Sequence, residues 1–338
     1  MGEKRFRKQI DGQNAFRQLN FKAFRESIGT LEQVSDLIVI AGDVFDYHDP
    51  DVESVLVARE TLENCEVPVY IIGGNHDWSK NQESRGFHCF DMLKSQDEQL
   101  SGSEVSGGPV WLTEPYHLTP EAGLGISFLP FGYLKPEWFN EVRKWSFGDE
   151  LKVLVCHGYV SPFNDDGLDD VYRLPQEVTN RFDLTVCGHV HLPMNSGSAK
   201  CRVLTPGSLM PSNQAIGVTG DVRPSVWVYD TSTRSAARAY LKTPPAVHEV
   251  FTDDLNGTLE QVNDHGIWVI HHTDSVTQLN EYTYKKAKAN ALNLQLHGVE
   301  TTENVINTEQ LKIPPFWEWC ANEHPNWVDE FKQILASK

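Results

Sequence analysis

Short apolar blocks alternate along this chain with stretches of helical period. Leu37–Ala41 (LIVIA), Val67–Ile72 (VPVYII), Leu151–Cys156 (LKVLVC) and Asp183–Cys187 (DLTVC) are rich in β-branched residues, as expected of buried parallel strands. Each runs into a turn that carries Asp, Asn or His. Ahead of the first block, Phe16, Leu19, Phe21, Phe24, Ile28 and Leu31 recur at mixed three and four spacing, which predicts an amphipathic helix over Asn14–Gln33. Val52–Glu63 repeats that pattern ahead of the second block. The alternation predicts an α/β fold with the four turns at one end of a sheet. Val110–Leu112 and Gly125–Pro130 read as shorter strands of a second sheet, and Arg202–Ser208 and Ser225–Tyr229 as further strands. Asp97–Gly108 and the acidic Asn164–Asp170 read as solvated loops.

Pro244 and Pro245 suggest a boundary, with residues 1–242 forming the main domain and 243–338 a smaller one. In the smaller part, Ile267–His272, Gln278–Asn293 and Leu294–Val299 predict a strand, a helix with a cationic stretch (Lys285, Lys286, Lys288) and a second strand. The segment from Pro314 onward concentrates Phe316, Trp317, Trp319, Trp327, Phe331, Ile334 and Leu335. It is expected to fold back onto the small domain or to dock a partner.

Composition narrows the class. The 338 residues are 40% hydrophobic, enough for a large core, and no apolar run approaches the roughly 20 residues that span a bilayer. The start lacks the apolar segment of a secretion signal, so the expected location is the cytoplasm. Cys65, Cys89, Cys156, Cys187, Cys201 and Cys320 form no CxxC pair and read as reduced thiols. A net charge of −18 opposes general attraction to nucleic acid. Residues 1–25 depart from this, with seven basic residues against Glu3 and Asp11, a net of +5.

The chemistry gathers in the turns: GDVFD (42–46), GNHD (74–77), His157 and GHVH (188–191). Carboxylate, amide oxygen and imidazole without thiolate suit manganese, iron or zinc better than calcium. Asp43 can bridge two cations, with Asn75, His157 and His189 completing one coordination sphere and His191 reaching the other. Two such ions can polarise a phosphoryl oxygen and activate water. His76 is placed to donate a proton to a leaving oxygen, and Asp77 to orient its ring. Any one of these motifs has a structural explanation. All four in this order, each after a strand, point to a constructed site.

At these residues the chain resembles the calcineurin-like metallophosphoesterases. More narrowly, it is similar to the SbcD-type DNA repair nucleases and their bacteriophage recombination-endonuclease counterparts, through the Phe-rich helix before IAGDVFD, through VPVYIIGGNHDW and through TPGSL (205–209). The resemblance implies a four-layer αββα sandwich with a small C-terminal α+β cap and two Mn²⁺ ions. It also implies phosphodiester hydrolysis at DNA ends, an ATPase partner of the SbcC type and a possible homodimer. One departure stands out, because that family opens with a strand ending in Asp-x-His that supplies ligands to the first metal. Here the chain begins MGEKR, so the first metal keeps only Asp43 and His191. The expectation is a natural reading frame starting some ten or more residues upstream. Lys4, Arg5, Arg7 and Lys8 would then border the substrate groove and meet DNA phosphates. Two alternatives stay open: a hydrolase of small phosphodiesters or phosphomonoesters, and a noncatalytic scaffold.

Overall fold

The structure is a computed structural model that describes residues 9–10, 13–79, 86, 88–93, 108–121, 123–144, 151–160, 173–198, 201–211, 223–245, 247–262, 266–272 and 280–298. The basic residues Lys4, Arg5, Arg7 and Lys8, the acidic stretch 164–170 and the aromatic residues from 314 onward lie outside them.

Two sheets face each other. In the first, Ile38–Ile40, Val69–Ile72 and Val110–Leu112 run parallel in that order. The second has six strands in the order Met194–Ser198, Cys201–Thr205, Leu184–Gly188, Leu151–His157, Leu124–Leu129, Tyr116–Glu121, parallel except at its two edges. Strand parity distributes the side chains. Leu151, Val153 and Val155 turn toward the first sheet, where they meet Ala41, Ile72 and Leu112, whereas Leu154 and Cys156 turn outward to Val142 and Val178 on the outer helices. On the far side of the first sheet, Phe21, Phe24 and Ile28 of the helix Ala15–Glu32 and Val57, Ala58 and Leu62 of the helix Val52–Glu63 pack over Ile38, Val69 and Ile71. The layers are therefore helix, sheet, sheet, helix, as the αββα expectation requires.

Two sequence expectations need correction. Val110–Leu112 belongs to the first sheet, with Tyr70 opposite Val110, because its Trp111 is drawn to Phe90 in the helical layer, ring centroids 4.7 Å apart. The four site-bearing strands are also split, two to each sheet, so their ends converge across the sandwich rather than along one sheet. Further along, the described residues form a three-stranded parallel sheet (Val247–Thr252, Ile267–His272, Asn293–Gly298) with helices Leu255–Glu260 and Glu281–Asn290. Its first strand and first helix carry no periodicity clear enough to mark them in the sequence.

Candidate metal centre

Parity decides which way His157 points. It is the last residue of Leu151–His157 and shares the inward face with Val153 and Val155, so its imidazole emerges between the sheets at their carboxyl ends. Asp43 approaches from the first sheet. The chains come close enough because glycine lies at the crossings: a Cβ on Gly42 would collide with the His157 ring, and one on Gly188 with the Ala41 carbonyl. Two donor residues sit on left-handed backbone, Asp43 at φ 51° and His189 at φ 84°. Non-glycine residues rarely adopt that conformation, and it is tolerated where the surroundings over-determine it, commonly at functional sites.

Four donor atoms converge. His157 Nε2 lies 2.9 Å from Asn75 Oδ1 and 3.2 Å from Asp43 Oδ2, and His189 Nδ1 lies 2.8 Å from the same Asn75 oxygen. The donor atoms of Asp43, His157 and His189 lie within 4.8 Å of one another. An octahedral ion with bonds of about 2.1 Å holds adjacent ligand atoms about 3 Å apart. The spacing found here fits such a shell, and the mixed oxygen and nitrogen donors fit a first-row divalent cation. The residues present therefore suit one metal ion.

Electrostatics agree. Burial opposes ionisation of Asp43, but the neighbouring His157 and His76 and their hydrogen bonds hold its carboxyl well below the usual carboxylate range. Burial also opposes charge on His157, yet the Asp43 carboxylate and the Ala41 carbonyl, 2.8 Å from Nδ1, raise it to about 9. Burial and the adjacent His157 lower His189 to about 4, so it is neutral near pH 7.

His76 is half-exposed. Its backbone N–H donates to Asp43 Oδ1 at 2.9 Å, and its Nδ1 lies 2.8 Å from the Asp46 carbonyl oxygen. The latter contact orients the ring, leaving Nε2 for a substrate. The expectation that Asp77 would do this is corrected. Asp77 is fully buried, and its oxygens accept from the N–H groups of Val44, Phe45 and Gly74, which ties the GDVFD turn to the GNHD turn. Burial and the Asp43 charge push its carboxyl up to about 6. His191 is exposed and outside the converging set, although its charge still acts on His189. Two contributors escape the sequence reading. Asp46 stands out there only as a carboxylate, and Tyr159, whose ring lies edge-to-face against His189, has no motif to mark it.

The calcineurin-like phosphoesterase family model matches residues 13–193, more than half of the chain and all of these turns. The protein belongs to the calcineurin-like phosphoesterases. Among curated proteins, it is 24% identical over 192 residues to the DNA double-strand break repair protein Mre11 of Methanococcus maripaludis, covering 53% of this chain and 48% of that one. It is 31% identical over 93 residues to the SbcD subunit of nuclease SbcCD from Staphylococcus epidermidis, a quarter of each chain. Thus the chain spans at most about half the length of these relatives. Among solved structures, an archaeal phosphodiesterase aligns over 65% of this chain and 92% of its own at 12% identity, with a TM-score of 0.36. No disulfide joins any of the five described cysteines, and among the described residues no helix is long and apolar enough to cross a membrane.

Proposed function

We propose that this phosphoesterase is the metal-dependent nuclease subunit of an SbcD-like system, hydrolysing phosphodiester bonds at DNA ends with Mn²⁺ and an ATPase partner of the SbcC type. The observation that carries the chemistry is the convergence of Asp43, Asn75, His157 and His189 beside an exposed His76. The choice of DNA is supported by similarity to Mre11 and to the SbcD subunit of nuclease SbcCD.

A divalent cation held by the four converging residues would supply Lewis acidity toward a phosphoryl oxygen and lower the pKa of water. His76 carries the proton. With Nδ1–H donating to the Asp46 carbonyl, its imidazolium form presents Nε2–H outward to the departing oxygen. Asp43 accepts from the His76 backbone N–H, which ties the acid to the metal-binding residues. Asp77 fixes both turns from beneath. His191, with Asp43, would serve a second ion, and Lys4, Arg5, Arg7 and Lys8 would neutralise phosphates beside the groove. Residues 243–338 would form the cap and the partner-facing surface, in a homodimer.

The test is Mn²⁺-dependent degradation of linear double-stranded DNA, with His76→Ala as control. Cleavage that disappears in the variant supports the proposal. The second reading, a hydrolase of small phosphodiesters, is favoured by the net charge of −18. Cleavage of bis(p-nitrophenyl) phosphate with DNA left intact would decide for it.

A further inference from the structure

The two imidazoles that close on Asn75 are anchored unequally. His157 meets acceptors at both ring nitrogens and sits on a strand paired on both sides. His189 stands just past the end of its strand, on left-handed backbone, and its described hydrogen bond is at Nδ1 alone. Two rings bound it instead: His157, with centroids 5.3 Å apart, and Tyr159, at 4.8 Å and an interplanar angle of 89°. Tyr159 is 9% exposed and belongs to the short strand Tyr159–Val160, which pairs with Arg173–Leu174, so its backbone is pinned while its ring leans on His189.

We infer that Tyr159 is a positioning residue, whose ring braces His189 in the rotamer that turns Nδ1 toward Asn75 and so completes the metal shell. Edge-to-face ring pairs are favourable because the electropositive edge of one ring meets the electronegative face of the other. At this position the pair acts on a side chain whose backbone conformation is itself disfavoured. Without the ring, His189 can rotate, and the donor set drops from four to three. The consequence for metal affinity rests on the metal-site reading above. The bracing itself does not.

The test uses the full chain with Tyr159→Phe, which keeps the ring pair, and Tyr159→Leu, which fills the space without it. Mn²⁺ is titrated by the loss of its free electron paramagnetic resonance signal, and the His189 tautomer is read from ¹⁵N imidazole NMR of the metal-free protein. The Phe variant should match the parent. The Leu variant should lose about two- to tenfold in Mn²⁺ affinity and shift His189 from the Nδ1–H form toward a mixture, with unchanged circular dichroism. Tyr159→Met takes its place should Leu prevent folding. Parental affinity and tautomer in the variant lacking the ring, or equal damage from Phe, would overturn the inference. A parent protein that binds no Mn²⁺ would sink the metal reading, and the tautomer would still test the bracing.

Discussion

His157 faces an acceptor from each of its nitrogens, so the metal-free ring carries both protons. A cation at Nε2 must displace one of them. His189 is already neutral and only moves its proton from Nδ1 to Nε2. We therefore expect about one proton released per ion bound near neutral pH, falling toward zero above about pH 9, where His157 has already lost it. Calorimetry of Mn²⁺ binding in buffers of different ionisation enthalpy reads this directly, and zero release at pH 7 would refute the assignment. Gly188 gives a second expectation. Gly188→Ala drives a methyl group into the Ala41 carbonyl and should cost about 1–3 kcal/mol in chemical denaturation, together with weaker metal binding. At this scale the sequence reveals residue types well and contacts poorly. Asp77 follows His76 in the chain, which suggests a pair, but neighbouring side chains in a turn diverge, and the carboxylate goes to three backbone N–H groups.

The helix Ala15–Glu32 shows why one element can do two jobs. Asn14 caps it by accepting from the Arg17 N–H at 3.0 Å. Phe21, Phe24 and Ile28 enter the core under the first sheet, while Phe16 and Ala23 enter another with Met210, Ile267 and Leu292. The mixed three and four spacing reflects these two buried faces. On the same helix, Glu26 accepts from the backbone N–H groups of Lys242 at 2.7 Å and Thr243 at 2.8 Å, next to the entry into the small sheet. Burial opposes ionisation of the Glu26 carboxyl, and these bonds together with the Lys242 charge outweigh it and lower its pKa. Glu26→Ala should cost about 1–3 kcal/mol. It should also speed hydrogen exchange at Lys242 and Thr243 while leaving the Asp43 turn protected. Exchange that stays slow at both amides would show that the bonds are dispensable. Helix bounds were legible because 18 residues repeat their period several times. Val247–Thr252 was not, since its VHEVFT pattern lies half-buried on both faces and gives no clean alternation.

For the whole molecule, the charges trapped between the sheets make stability depend on both pH and metal. A group whose folded pKa is raised adds stability below its unfolded value and loses it as pH climbs through the folded one. His157, moved from about 6.5 to about 9, therefore gives up its stabilisation of the metal-free protein across that window, whereas His189, at about 4, is neutral throughout it. Urea unfolding with a chelator should show stability falling from about pH 6.5 to about pH 9. With Mn²⁺ the fall should vanish or reverse, because the deprotonated ring is the ligand. An equal slope with and without metal would place the ion elsewhere. What the sequence determined by itself was local: the strands, the helices, the turns and the donor types, since hydrophobic period and turn chemistry act over a few residues. Which sheet each strand joined, which face of His157 met Asp43, and whose carbonyl held His76 were decided by the tertiary structure alone. Those choices depend on packing between residues far apart in the chain, from 30 positions for the His76 ring and the Asp46 carbonyl to 116 for the His157 ring and the Ala41 carbonyl.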